Sequence, residues 1–303
     1  MEAMTIKKRN VKVRRLRKAL TGYAFIGVNV LGVCVFCFLP LIFSLVLSVS
    51  KWDQSKGLAG IRFSGFDNYI KMWSDEWFRA SLINNIIFTV FYVLLVVVLS
   101  FFVALLLNEK ILGKKTVKMG LYMPYIVNTV AIAAVFLALF SRQGPVSMLL
   151  KALGMEDPPL FLNSSQYALA TVTGICVWQA LGYTAMLFLA GLVNVPKDLL
   201  EAADIDGAGW WKKTINVTIP VLKPTTFFVL VTSIINSFKV FGLINIMTSG
   251  GPGSSTTMIV YNIYRTAFRF NKIEFASAQG IVLTIFMFIV TLIQYRAQKS
   301  SEC

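Results

Sequence analysis

Six long apolar runs dominate the sequence and restrict the chain to very few folds. They lie at 21–49, 82–107, 119–140, 167–193, 220–247 and 275–295. A bilayer core requires ~20 consecutive, mainly apolar residues for each spanning helix, so every run is long enough to cross it. The runs are unbroken and rich in Leu, Ile, Val and Phe, whereas spanning strands alternate over ~10 residues. The pattern predicts an all-α membrane protein with six transmembrane helices.

The distribution of charge predicts how these helices are oriented. Only 14% of the residues are charged, yet the net charge is +15, and the first 20 residues alone hold eight of the 29 lysines and arginines. Short basic segments stay on the cytoplasmic side of a membrane. We therefore expect a cytoplasmic tail at 1–20, a six-helix domain at 21–297, and a second cytoplasmic tail at 298–303. The tail "KKRNVKVRRLRK" could also suit nucleic acid, but next to a spanning helix it favours contact with anionic lipid.

Three predicted outer loops contain residues that break helices. The first includes "FSGFDNYIKMW", an aromatic-rich stretch expected to lie along the membrane interface with turns at Ser64-Gly65 and Asp67-Asn68. Gly and Pro cluster at 144–145, 158–159 and 248–256 in the other two. These clusters predict non-helical outer segments.

The longest predicted cytoplasmic connection, 194–223, contains the polar stretch "EAADIDGAGWWKKTINVTIP". Asn194 can cap a short helix that has Pro196 in its first turn, and Gly207 and Gly209 would end it. One interpretation is an amphipathic connector held at the interface by Trp210 and Trp211. The other is a docking surface, because the small side chains let a partner approach the backbone closely. The residues alone leave both interpretations open.

The spacing in this stretch resembles a known motif of importer permeases. Glu201-Ala202-Ala203 is followed after three residues by Gly207, and after nine more by Val217-Thr218-Ile219-Pro220. The permease subunits of binding-protein-dependent ABC importers have E-A-A, three residues, G, nine residues and I-x-L-P, from which this chain departs by two conservative changes. The stretches "SFKVFGLINIMTSGGPGSST" and "FSGFDNYIKMW" are similar to the carbohydrate branch, of the maltose and glycerol-3-phosphate type. The resemblance extends from about residue 20 over nearly the whole chain.

The resemblance implies a type I ABC importer permease fold and a bacterial or archaeal cytoplasmic membrane. It implies a non-catalytic subunit that pairs with a second permease over two ATPase subunits and receives a sugar from an extracytoplasmic binding protein. ATP and Mg²⁺ would bind to the ATPase subunits, since this chain lacks the phosphate-binding pattern G-x-x-x-x-G-K-[ST]. The loop would couple the two kinds of subunit through Glu201, Ala202, Ala203, Asp206, Gly207 and Gly209.

Polar and aromatic residues within the spans indicate where a solute could pass, because polar groups at membrane depth are costly unless they face a cavity or another helix. Aromatic rings suit the C–H face of a sugar, and amides suit its hydroxyls. Lys239 could equally extend to the outer interface, and Asn128 could bond between helices. The candidates are Trp178, Gln179, Tyr183, Asn236, Ser237, Lys239 and Asn128.

Other functions are less well supported by the sequence. An ion-coupled transporter usually carries carboxylates inside its spans, and by these boundaries all 14 acids lie in tails or loops. The chain has no histidine, which excludes His-based catalysis, and Cys34 and Cys37 lie within an apolar run without a second pair of metal ligands. We therefore expect no cofactor or metal on this chain. A glycerol phosphate or another small polar solute is the alternative to a sugar, with Lys239 as its anion partner.

Overall fold

The computed structural model describes residues 22–24, 26–109 and 112–301, the last five as backbone only. The predicted tail at 1–20 and residues 302–303 of the second tail lie outside these ranges. The remaining chain is mostly helical, and its helices are, in order, α1 Gly22–Ser48, α2 Asp67–Ser74, α3 Glu76–Asn108, α4 Lys114–Ile126, α5 Thr129–Leu139, α6 Pro145–Ala152, α7 Ala168–Val193, α8 Lys197–Ile205, α9 Trp210–Lys213, α10 Ile219–Val221, α11 Lys223–Phe238, α12 Gly242–Met247, α13 Ile259–Tyr264 and α14 Ile273–Ser301.

The number of spans agrees with the prediction when one bent helix pair counts as a single span. Within the described residues, five helical segments are long and apolar enough to cross a membrane, with α11 and α12 taken together. The sixth span is the pair α4 and α5, whose axes differ in direction by 97°. The sequence predicted one continuous helix at 119–140, and this was wrong at Val127-Asn128. The cytoplasmic location of both termini stays a prediction.

Asn128 explains where the second half of the bent span begins. Its backbone is extended, and its side-chain Oδ1 accepts a hydrogen bond from the Val130 N–H at 2.8 Å, so it caps α5. Pro124 lies two residues before the end of α4, where its ring cannot sit in an undisturbed helix interior. Asn128 is therefore a helix cap, and among the described residues its side chain makes no hydrogen bond to another helix.

The fifth predicted span, 220–247, is also interrupted. It begins with a kink at Leu222 and runs as α11 to Phe238, after which Lys239 (φ −95°, ψ 1°) leaves the helix. The chain resumes a helical course only at Gly242, where α12 begins. Asn236 and Leu243 therefore lie on two different helices, with Lys239 in the break between them.

The predicted outer loops contain more regular structure than their composition indicated. The first holds an antiparallel ribbon of β1 Ser50–Trp52 and β2 Ile61–Phe63, followed by α2 where a turn at Asp67-Asn68 was expected. Gly144-Pro145 starts α6 instead of ending regular structure, because proline suits the first position of a helix. In the third loop the stretch 248–256 is non-helical as predicted, and α13 then turns back to pack against α3 and α14.

The bundle is built around α3 and α7. These two helices pack against each other along their length, α4 and α11 pack onto this pair, and α14 packs against α1. One buried cluster fills the middle of the bundle around Phe88 and Tyr92, and a second lies near the end that carries α8, around Phe188, Leu192 and Leu222. The 194–223 loop packs against this second cluster.

Candidate functional site

The loop at 194–223 folds as a short helix, a turn and a second helical piece. Helix α8 has Pro196 at its N-cap. Asn194, predicted to cap this helix, instead ends α7 and donates its side-chain Nδ2 to the Ala190 carbonyl oxygen at 3.2 Å. Leu200 packs against the buried cluster beneath the loop. One side of α8 is therefore held by the bundle.

The opposite side of α8 is free in the single chain. Glu201, Ala202 and Asp206 are exposed, Ala203 is partly buried, and Ile205 is 87% exposed. The exposed face combines the carboxylates of Glu201 and Asp206, small side chains and the projecting apolar side chain of Ile205.

The turn after α8 requires a glycine at position 207. Gly207 has φ of 70°, in the left-handed region. Its N–H donates to the Asp204 carbonyl at 3.0 Å, and the Ala208 N–H donates to the Ala203 carbonyl at 2.9 Å. These two bonds form a Schellman motif, in which the residue after the C-cap is left-handed. A Cβ at Gly207 would meet nothing within 4 Å, so the glycine is needed for its backbone conformation and not for space within this chain.

An ion pair that sequence reasoning missed closes the same turn. The Lys213 Nζ lies 2.6 Å from the Asp204 Oδ1, and the lysine side chain is 26% exposed. It joins the end of α8 to α9 across the two glycines. Opposite charges on either side of a glycine turn were the available signal, but the spacing of nine residues has no helical or strand periodicity that would have paired them.

Trp211 ties the second piece of the loop to the bundle. Its ring lies 6.4 Å from that of Phe102 on α3 and 4.7 Å from that of Trp210, centroid to centroid. The Thr214 hydroxyl donates to the Trp210 carbonyl at 2.9 Å, which holds the start of the π-helical turn Thr214–Thr218. A displacement of α8 would therefore be transmitted to α3 as well as to α11.

A second feature is a cavity of about 290 Å³ between α3, the α4–α5 bend, α7 and the α11–α12 break. Gln179, Asn236 and Lys239, which the sequence singled out, all line it. The complete lining is Tyr92, Tyr125, Thr129, Cys176, Gln179, Ala180, Asn236, Lys239, Val240, Phe241, Gly242 and Leu243. Both interrupted spans line the cavity, through Thr129 and Gly242 among others. The two spans approach each other there, since a Cβ built at Gly242 would lie 3.0 Å from the Thr129 Cγ2.

The other predicted solute residues lie outside this cavity. The Tyr183 ring stacks on the cavity residue Tyr125 at 4.4 Å between centroids, so it supports the wall from behind. Ser237 is fully buried, and its hydroxyl lies 2.8 Å from that of Thr89, which makes it part of the contact between α11 and α3. Trp178 faces a separate aromatic groove and lies 5.3 Å from Phe136.

Within the described chain, no group of three or more His, Cys, Asp or Glu side chains could hold a metal ion. The acids also stay away from the middle of the spans. Glu76 and Glu274 lie in the first turns of α3 and α14, so the two span helices contain acids only at their ends.

Comparison with known proteins decides the family. The family described as "Binding-protein-dependent transport system inner membrane component" matches residues 97–301, which is more than half of the chain. The chain belongs to this family. It is therefore a multi-pass permease subunit of the cytoplasmic membrane that works with a binding protein, as the spacing of the E-A-A loop indicated.

Relatives of this permease subunit match along nearly their whole length. The probable ABC transporter permease protein YesP of Bacillus subtilis is 31% identical over 94% of this chain and 93% of that protein. The sn-glycerol-3-phosphate permease UgpA of Yersinia pestis is 32% identical over 86% and 88%. The arabinooligosaccharide permease AraP of B. subtilis is 30% identical over 93% and 90%.

Solved structures confirm the fold. A chain of a bacterial ABC transporter that imports the acidic polysaccharide alginate superimposes with a TM-score of 0.83 at 21% identity, covering 95% of this chain and 98% of that one. A second structure of the alginate transporter, in complex with an alginate pentasaccharide-bound periplasmic protein, gives a TM-score of 0.81. The permease fold that the resemblance implied is confirmed.

Proposed function

We propose that this chain is one half of the transmembrane pathway of an ATP-driven importer for a sugar or oligosaccharide. A second permease subunit would complete the pathway, two ATPase subunits would supply the energy, and an extracytoplasmic binding protein would deliver the solute. The relatives named for arabinooligosaccharides and glycerol 3-phosphate support a small polyhydroxylated solute. ATP and Mg²⁺ would bind only to the ATPase subunits.

The exposed end of α8 is the proposed contact with an ATPase subunit. Glu201 and Ala202 are exposed on this helix, and the left-handed Gly207 stops it abruptly, so a partner groove can enclose the helix end. Ala203, Asp206 and Gly209 complete the proposed coupling surface. The single observation that carries this proposal is the Schellman turn, because it gives a rigid end to a helix that is already packed against the bundle through Leu200.

Movement of α8 would reach the solute cavity through the chain on both sides of it. α8 follows α7, which contributes Gln179 to the cavity, and the helical piece from Trp210 to Val221 precedes α11, which contributes Asn236. A shift of the loop therefore acts on two opposite walls of the cavity. In this proposal Gln179 and Asn236 bond the hydroxyl groups of the solute, and Tyr183 stabilises the wall through Tyr125.

Charge reversal at Glu201 tests the coupling. The complete importer is reconstituted in lipid vesicles, and binding-protein-stimulated ATP hydrolysis and ATP-driven uptake are measured for Glu201→Lys. The matched control is Glu156→Lys, an exposed acid in the loop between α6 and α7. We expect Glu201→Lys to abolish both activities and the control to keep them. Normal import by Glu201→Lys would refute the coupling role. If a protonophore abolishes uptake while ATP is held constant, ion coupling is favoured instead.

A further inference from the structure

The solute cavity carries an unbalanced positive charge. Among the twelve residues that line it in the described chain, Lys239 is the single formally charged one, and the lining contains no acid. The three ion pairs of the described residues use Lys51, Lys56 and Lys213, so none of them neutralises Lys239.

The backbone keeps Lys239 at the cavity. It lies at the break between α11 and α12, eight residues before the end of the span at Met247, which corresponds to ~12 Å along a helix. It shares the cavity wall with Asn236 and Gln179. Of the two interpretations of Lys239 that the sequence left open, its position in the cavity wall supports the one in which it faces the solute.

We propose that the imported solute carries an anionic group, a carboxylate or a phosphate, and that Lys239 is its counter-charge. This inference rests on the proposed function, since it concerns the same cavity. Lys239 is exposed at the cavity in the single chain, and ionisable residues at membrane depth commonly mark the path of a charged substrate. A neutral sugar would leave Lys239 unpaired, whereas an anionic one would form a charge-assisted hydrogen bond.

The remaining lining suits the rest of such a solute. The amides of Gln179 and Asn236 and the phenol of Tyr125 can donate and accept hydrogen bonds to hydroxyl groups. The volume of about 290 Å³ is at the lower end of the range of ligand pockets, so it accommodates one small polar unit at a time. The cavity thus has one site for an anion and several for hydroxyl groups.

The test measures binding to the complete importer in lipid nanodiscs, with no binding protein, so that small solutes meet the cavity directly. The probes are sn-glycerol 3-phosphate, D-glucuronate, glycerol and D-glucose, followed by saturation-transfer NMR. We expect at least one anionic probe to bind roughly 10- to 100-fold more tightly than its neutral counterpart, the range of one hydrogen bond to a charged group. The stronger of the two anions shows whether the site prefers phosphate or carboxylate.

Variants assign the effect to one residue. Lys239→Gln should remove the preference for the anion, and Lys239→Arg should retain it. Lys151→Gln, which removes the same charge from the exposed side of α6, should leave binding unchanged. Equal binding of neutral and anionic probes, an anion preference that persists in Lys239→Gln, or no binding of any probe would overturn the inference.

The outcomes also distinguish this inference from the proposed function. If glucose and D-glucuronate bind equally well, and Asn236→Ala or Gln179→Ala weakens both while Lys239→Gln weakens neither, the sugar pathway stands and the anionic solute is wrong. If vesicles show no ATP-driven uptake and Glu201→Lys has no effect on hydrolysis, the proposed function fails whatever the probes do at Lys239.

Discussion

Replacing Gly207 with alanine tests whether the left-handed turn determines the end of α8. At φ of 70° an alanine Cβ crowds the neighbouring carbonyl oxygen, which costs about 1–2 kcal/mol for one residue. No atom within 4 Å opposes the added methyl group, so this backbone term is the whole local effect. A cost of that size lowers the population of the turn by roughly 5- to 30-fold relative to alternative ends of the helix.

The assay compares Gly207→Ala with Gly209→Ala in the reconstituted importer. Gly209 has φ of −64° and equally open surroundings, so alanine fits there without strain. We expect binding-protein-stimulated ATP hydrolysis to fall in Gly207→Ala, by up to the roughly 5- to 30-fold by which the turn loses against alternative helix ends. In Gly209→Ala it should stay within about twofold of the wild-type rate, because the added methyl group causes no left-handed strain there.

Hydrogen exchange of the peptide 203–213 provides the structural control. In Gly207→Ala the amides of Gly207 and Ala208 should exchange faster, because they donate the two bonds of the turn. Faster exchange together with wild-type hydrolysis would refute the idea that the turn sets the docking geometry. An equal loss of activity in Gly209→Ala would show that small size, and not the left-handed backbone, is what matters.

Three further outcomes follow from the structure. Gly182→Ala should destabilise the packing of α7 on α4 by about 1–3 kcal/mol or more, because the new Cβ would overlap the Leu121 backbone. Gly174→Ala is the control, since its Cβ would meet free space, and thermal unfolding in detergent compares the two variants. Asn68→Ala should cost about 1–3 kcal/mol in the same assay, since its buried amide donates to the carbonyl oxygens of Ser48, at the end of α1, and Ser50, in β1. Lys213→Ala should change the free energy of unfolding by at most ~1 kcal/mol, because its partner Asp204 is largely exposed. A larger coupling energy in a double-mutant cycle with Asp204→Ala would contradict this.

The sequence predicted the number of spans and the short, glycine-ended helix in the loop at 194–223 for physical reasons. A bilayer forces long apolar runs, so the spans are visible as composition, and the loop at 194–223 is polar enough for its glycines and proline to act as local signals. Gly207 is the clearest case, because a positive φ restricts the residue type at that position. These features depend on residues that are neighbours in the sequence, so the sequence alone is enough to predict them.

The breaks within the spans could not be predicted in the same way. Val127-Asn128 and Lys239 to Phe241 contain neither glycine nor proline, and their surroundings are as apolar as a continuous helix would require. The freed backbone groups are tolerated only because neighbouring helices and a cavity lie beside them. That condition depends on residues distant in the chain, such as Thr129 against Gly242, and no local pattern records it.

The solute cavity therefore sits where two spans are discontinuous, and this affects how the pathway can open. α4 and α5 have 13 and 11 residues, so their lengths of ~20 Å and ~16 Å are each too short to cross the ~30 Å core alone. Thr129 and Gly242 bring the two discontinuities into contact. If the proposed pathway opens by bending at these two joints, each half-span would move independently of its other half, and both joints would lie at the level of the cavity.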